Sequence, residues 1–278
     1  PIAKEPEHMT LSPDTFDHVF ERALNGCPHA ASAFTSDSDL FVCAQPKRLH
    51  FHTGTLWVFD ADDTCWEDNI FYKQLAEELI SKVKLQVPTA ESSVVWELIH
   101  TAEHETVATQ GYGPIGYERS LRRALQLTAT HYQTQVHVDD SFFDGVVPLL
   151  SSVPDSISLD TVHTLRHLRD NGDALALFTM GVREIQRKIY NSGLASLFDA
   201  VAITHKKVPS AYEQLVDTLG YRGNDIRMVG NSLKSDILPA ITLGWKAYHY
   251  VNPHTWHAGN NAEVPQEKYT AIHSLREL

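Results

Sequence analysis

The chain has 278 residues, 42% of them apolar and 21% charged, with a net charge of −12, a composition that suits a globular protein with one large domain or a core plus a smaller one. The acidic balance argues against partners such as nucleic acid or an anionic membrane surface. No apolar run approaches the roughly 18 residues of a transmembrane helix and the first 30 residues hold no apolar signal core, so neither a membrane span nor secretion is expected.

Three cysteines, Cys27, Cys43 and Cys65, form an odd set without CxxC spacing. That favours a reducing, cytoplasmic setting and argues against a zinc–cysteine site. The chain starts at Pro1 rather than Met, consistent with removal of an upstream piece. Residues 1–50 read as an arm of unassigned role, with a helical pattern only at Pro13–Asn25 and a Ser-, Asp- and Ala-rich loop from Ala30 to Lys47. The first strong strand is Gly54–Asp60. Leu56-Trp-Val-Phe59 is a continuous apolar run, as expected of a parallel strand buried on both faces, and it runs into Asp60, Asp62 and Thr64.

Helical patterns follow near 68–86, 90–109, 116–130 and 140–151, broken at Pro88-Thr89 and Gly111–Pro114. So long a helical stretch before the next strand predicts an inserted all-helical domain, 67–152. The pattern then alternates. Helices are predicted at Leu159–Asn171, 182–192, Pro209–Leu219 and Ser235–Leu243. Strands are predicted at Ala174–Thr179, Ala200–Thr204, Ile226–Gly230 and Lys246–Val251. Alternation of this kind predicts an α/β fold, a Rossmann-like parallel sheet assembled from 51–66 and 153–278.

Open α/β sheets bind ligands beyond the carboxyl ends of their strands. Four such ends carry polar residues: Asp60, Asp62 and Thr64; Thr179 with Met180 and Gly181; Lys206 and Lys207; and Gly230-Asn231-Ser232 with Asp236. This set can run a phosphoryl transfer. Asp60 attacks phosphorus. Asp62 protonates the leaving oxygen and later deprotonates water. Thr179 and nearby backbone N–H groups bind phosphate oxygens, and a lysine neutralises charge. Asp60 and Asp236 are suited to hold Mg²⁺.

These pieces resemble the haloacid dehalogenase superfamily. The match lies in Asp60-Ala-Asp-Asp-Thr64, in Thr179, in Lys207 two residues before Pro209, and in Gly230-Asn-Ser-Leu-Lys-Ser-Asp236, across about residues 54–258. The chain looks most similar to the small-molecule phosphatases that carry a helical cap between the first two motifs. The resemblance implies a small phosphorylated metabolite as substrate, an aspartyl-phosphate intermediate, a metal ligand in the Asp62 backbone carbonyl, and a cap that selects the substrate. Flavin mononucleotide, nucleotides, sugar phosphates and phosphoglycolate all remain open, as does the oligomeric state. It also favours Lys207 over Lys206, by its distance to proline. An acid at Asp62 favours a phosphatase over a dehalogenase. A phosphosugar mutase on the same core, or a binding protein of weak catalysis, are the alternatives. Asn231 stands where the family often has Asp, so Mg²⁺ binding is expected to persist and weaken. Cys65 and Trp66 replace a common Leu, which reads as a packing change.

Three other groupings carry readings of their own. His100, Glu103 and His104 have the HxxEH spacing of an inverted zinc-protease site, but they lie in the helical stretch and compete with four aligned motifs. His249, His254, Trp256 and His257 follow the last strand, where they could border the site. Arg119, Arg122 and Arg123 could meet a second anionic group of a substrate.

Overall fold

The computed structural model describes residues 40–44, 54–110, 113–151, 157–181, 188–189, 192–204, 206–221, 223–255 and 262–278. The pattern read at Pro13–Asn25, most of the one at 182–192, and Trp256 and His257 lie outside these residues. The strands are β1 (Leu40–Ala44), β2 (Leu56–Phe59), β3 (Ala174–Met180), β4 (Ala200–Thr204), β5 (Ile226–Gly230), β6 (Lys246–Tyr250) and β7 (Thr270–Ile272). They form one seven-stranded sheet in the order β1-β4-β3-β2-β5-β6-β7.

All pairings from β4 to β7 are parallel. β2 lies in the middle, with Val58 opposite Ala176 of β3 on one side and Met228 of β5 on the other. Its unbroken apolar run is explained by two covered faces. Leu56 and Val58 join one apolar cluster with Phe178, Tyr212 and Leu215. Trp57 and Phe59 join a second, with Leu165, Leu177 and Phe198. Successive strand residues point to opposite faces, so both parities must be apolar.

Two edges differ from the sequence reading. Residues 40–44, read as loop, form β1 and pair antiparallel with β4, Leu40 opposite Thr204 and Ala44 opposite Ala200. The sheet is therefore mixed at that edge. The signal is five residues long inside a polar stretch, and its partner lies far along the chain, so composition hid it. The three-residue β7, paired with β6 at the opposite edge, is likewise too short to stand out.

Between β2 and β3 run α1 (Asn69–Gln86), α2 (Ser92–Gln110), α3 (Pro114–His131), α4 (Asp140–Ser151) and α5 (Leu159–Asp170). Helices α1 to α4 share an apolar cluster of their own that includes Leu79, Val83, Ile99, Leu121 and Val146. Their inward faces recur at helical spacing and are satisfied by each other. α5 instead covers the sheet with Leu165 and Leu168. After β4, α6 (Pro209–Leu219) begins with Pro209 and ends at Gly220, whose φ of +65° is the left-handed cap glycine adopts most readily. The helix expected at Ser235–Leu243 is a π turn over Leu233–Ile237 followed by α7 (Leu238–Thr242). No described helix is long and apolar enough to cross a membrane.

Candidate active site at the carboxyl ends of the strands

β2 delivers Asp60 directly into a cluster of buried charges. The Asp60 N–H still bonds the Val229 carbonyl at 2.9 Å, so the residue is held as the strand's last rung. One carboxylate oxygen, Oδ1, accepts from Lys207 Nζ at 2.5 Å, and the other, Oδ2, accepts from the Thr64 hydroxyl at 3.2 Å. Lys207 Nζ also donates to Asp236 Oδ1 at 2.7 Å. All three charged groups are buried. Burial pushes the Asp60 carboxyl up to about 7; Lys207 pulls the other way and Asp236 adds to the rise. Burial would lower the Lys207 ammonium, but Asp236 and Asp60 outweigh it and hold it above its ordinary value.

Asp236 is only 1% exposed and is fixed on both oxygens. Besides Lys207, it accepts the Ser232 N–H on Oδ2 at 2.9 Å. The π turn brings it there: the Ser232 hydroxyl accepts the Ser235 N–H, and the Ser232 carbonyl accepts from Asp236 and Ile237. Single π turns often mark functional sites. Gly230 makes the approach possible, since a Cβ on it would lie 2.4 Å from Asp236 Oδ2.

The loop after Asp60 is a tight turn. Cys65 and Thr64 donate their N–H groups to the Ala61 carbonyl, and Asp63 sits at φ +58°. The Asp63 carboxyl accepts the N–H groups of Asp68 and Asn69, at 2.9 and 3.0 Å, at the start of α1. Burial raises Asp63 to about 8, against the pull of those two N–H groups. From the far side, Asn252 Nδ2 holds the Asp63 carbonyl at 3.0 Å. The side chain of Asp62 is 30% exposed. Its Oδ1 accepts Trp66 Nε1–H at 2.7 Å and lies 3.5 Å from Lys188 Nζ. Trp66 is therefore more than the packing change read from sequence: it grips Asp62. Cys65 is buried, with Sγ 3.2 Å from the Asp60 carbonyl.

Thr179 is the last residue but one of β3, near the carboxyl end of the strand paired with β2. It is 2% exposed, and its hydroxyl has no hydrogen-bond partner among the described residues. A buried hydroxyl of this kind calls for a ligand or water. Met180 is exposed. The Gly181 N–H donates to the Thr204 carbonyl at 3.0 Å, so that expected phosphate donor is already engaged. Of the two lysines, Lys206 is exposed and Lys207 buried. Asn231 lies against the same cluster: its N–H donates to the Thr64 hydroxyl at 3.1 Å and its Nδ2 to Thr255 Oγ1 at 3.3 Å. Its carbonyl lies 3.0 Å from His249 Nε2. Of the late histidines, His249 thus touches the site through Asn231, while His254 bonds Asn252 through its backbone.

The sequence reading passed over Asp63, Asp68, Lys188 and Asn252. Burial raises Asp68 to about 7, and Lys188 sits 2.5 Å from its Oδ1. A lysine on a polar stretch carries no sign that it will be buried, so only packing could reveal it. The remaining groupings are occupied elsewhere. Arg122 pairs with Glu118 and Asp140, and Arg123 with Glu105. Arg119 is an exposed residue of α3. His100 Nδ1, read as one zinc ligand of that spacing, lies 3.0 Å from Glu103, read as its base. Among the described residues, no three His, Cys, Asp or Glu side chains are grouped to hold a metal, which gives the zinc reading no support. Mg²⁺ asks for less: one or two carboxylates, completed by carbonyl or amide oxygens, water and substrate phosphate. Asp60 and Asp236 are two buried carboxylates sharing one ammonium, and Asp60 stays well above the usual carboxylate range even so. The set is all oxygen and locally over-negative, so it fits a hard divalent cation, with the Asp62 carbonyl and Asn231 within the same loops.

Residues 56–244 match a family model described as haloacid dehalogenase-like hydrolase. Mouse N-acylneuraminate-9-phosphatase is 37% identical over 84 residues, 28% of this chain and 34% of the mouse protein. The chain thus spans about a third of that relative's length. The haloacid dehalogenase-like hydrolase of Xanthomonas campestris superposes with a TM-score of 0.60 at 20% identity, covering 81% of this chain and 92% of that one. The HAD-hydrolase YfnB of Bacillus subtilis, solved with magnesium bound, superposes with a TM-score of 0.53 at 14% identity, covering 81% and 96%. At such identities the two structures speak for the fold.

Proposed function

The chain belongs to the haloacid dehalogenase-like hydrolases, and from that premise we propose that it is a Mg²⁺-dependent phosphatase of a small phosphorylated metabolite. The observation that carries the reading is the pair at the end of β2. Asp60 is buried and pinned by Lys207 and Thr64, while Asp62 keeps a partly exposed carboxyl two residues on. Two carboxyls in unlike environments can take unlike roles.

In this reading an Asp60 oxygen attacks phosphorus in line. The bond to the leaving oxygen breaks, and that oxygen takes a proton from Asp62. The Asp62 carboxylate then takes a proton from water, whose oxygen attacks the aspartyl-phosphate. Phosphate leaves and Asp60 returns to a carboxylate. Lys207 holds Asp60 in one rotamer and balances charge as phosphate arrives. The Thr179 hydroxyl, which has no partner among the described residues, is a donor for a phosphate oxygen. Thr64 orients Asp60, and Met180 and Gly181 line the approach. Mg²⁺, held by Asp60, Asp236, the Asp62 carbonyl and Asn231, would offset the repulsion between nucleophile and phosphate dianion. Helices α1–α4 would act as the cap, and the acidic, cysteine-poor chain suits a cytoplasmic enzyme.

The name of the matched mouse protein makes a 9-phosphorylated acylneuraminate the first substrate to try. The test is phosphate release from that compound and a panel of phosphomonoesters, with Mg²⁺ or chelator, for wild type and Asp60→Asn. Metal-dependent release that disappears in the variant is expected. Release that survives in Asp60→Asn overturns the mechanism, and interconversion of phosphosugar isomers without release would replace it with a mutase.

A further inference from the structure

The acid assigned to the leaving oxygen is held by more than its own loop. Two donors reach the same oxygen of Asp62: Trp66 Nε1–H at 2.7 Å and Lys188 Nζ at 3.5 Å. Its other oxygen, Oδ2, has no partner among the described residues. The terminal torsion of an Asp is broad, so a carboxyl without partners samples many planes. Donors on one oxygen only define that plane and leave the second oxygen open.

Lys188 is unusual in being there at all. Its side chain is only 5% exposed, and it comes from beyond β3, 126 positions along the chain from Asp62. A buried ammonium must be paired. Asp68 Oδ1 at 2.5 Å already supplies that pairing, so the reach toward Asp62 is not needed for burial. Nor does the nucleophile need Lys188, since Lys207 neutralises Asp60. Asp68 immediately precedes α1, the start of the helical insertion. Lys188 therefore joins three parts: the strand-end acid, the residue that precedes α1, and the segment beyond β3.

We propose that Lys188 is a positioning residue for Asp62, fixing the plane of the carboxyl that serves the leaving oxygen and coupling it to the entry of the helical insertion. The proposal rests on the role given to Asp62 above. It is tested in the full chain with Lys188→Met and Lys188→Arg, using two esters. An alkyl phosphate needs a proton on its leaving oxygen; p-nitrophenyl phosphate, with a stable phenolate, does not. Lys188→Met is expected to lose about 100-fold in kcat/KM on the alkyl ester and under about threefold on the aryl ester. KM should stay near wild type, and Lys188→Arg should recover most of the loss. Equal losses on both esters would mean a merely structural ion pair and overturn the proposal.

A second readout does not depend on turnover. The ¹⁵N indole resonance of Trp66, assigned with Trp66→Phe, shares the Asp62 oxygen with Lys188. It should move in Lys188→Met and return in Lys188→Arg; a resonance that stays put overturns the proposal. If wild type releases phosphate from neither ester nor any compound of the panel above, the phosphatase reading fails, and the indole resonance alone decides whether Lys188 holds Asp62. Should Lys188→Met not fold, Lys188→Gln takes its place in both measurements.

Discussion

Gly230→Ala tests whether Asp236 is held rigidly. The added Cβ would lie 2.4 Å from Asp236 Oδ2, 2.5 Å from Cγ and 2.6 Å from Cβ, where real Cβ contacts do not fall below 3.0 Å. The carboxylate would have to retreat by more than half an ångström. It has nowhere to go, being 1% exposed with Oδ2 on the Ser232 N–H and Oδ1 on Lys207. Overpacking of a tight site costs about 1–3 kcal/mol. Losing or stretching one charge-assisted hydrogen bond adds roughly 1.5–3 kcal/mol. Together these predict a loss of about 3–5 kcal/mol, seen as a fall in Tm on the order of 10 °C for a chain of this length. The assay is thermal unfolding by circular dichroism, with phosphate release titrated against Mg²⁺ alongside. A Tm within about 2 °C of wild type and an unchanged Mg²⁺ requirement would refute the reasoning, because the turn would then be yielding freely.

Three further outcomes are expected. Lys207→Met leaves two buried carboxylates without their ammonium and should cost about 3–5 kcal/mol, partly restored by Mg²⁺; the same Tm with and without the metal would argue against a shared cation site. Asn231→Asp should lower the Mg²⁺ concentration for half-activation, on the order of tenfold, because added ligand charge tightens a hard-cation site; no change would mean the position does not face the metal. Asp63 gives the pH dependence: its unfolded carboxyl loses its proton near 3.8 and its folded one near 8. Between these values the folded state binds the extra proton, so stability falls as pH rises through that window. Asp63→Asn does not titrate, keeps an oxygen for the Asp68 and Asn69 N–H groups, and tolerates a φ of +58°. Its stability relative to wild type should therefore climb by roughly 2 kcal/mol between about pH 6 and about pH 8, and parallel Tm–pH curves would disprove a protonated Asp63.

Much of this protein is legible in its sequence, because the informative signals are local. A short apolar run with both parities filled, ending at polar residues, fits a strand covered on both faces, and Leu56–Phe59 is one. The helical spacing of 69–151 and the βαβ alternation after it depend on near neighbours in the chain, as do the cap glycines. Asp60, Asp62, Thr179, Lys207 and Asp236 could be singled out because strand ends in a parallel sheet share one edge, so sequence order predicts who meets whom. What tertiary structure alone decided is what depends on distant partners. β1 is a strand because β4 offers its edge. That Lys207 bridges two buried carboxylates, Asp60 and Asp236, depends on how β2, β4 and β5 pack together. Asp63 and Asp68 gain their raised carboxyls from burial, and Lys188 reaches Asp62 from 126 positions away. Periodicity records which face of an element is apolar; it holds no record of which buried charge will stand opposite another, since that is set by how whole elements pack.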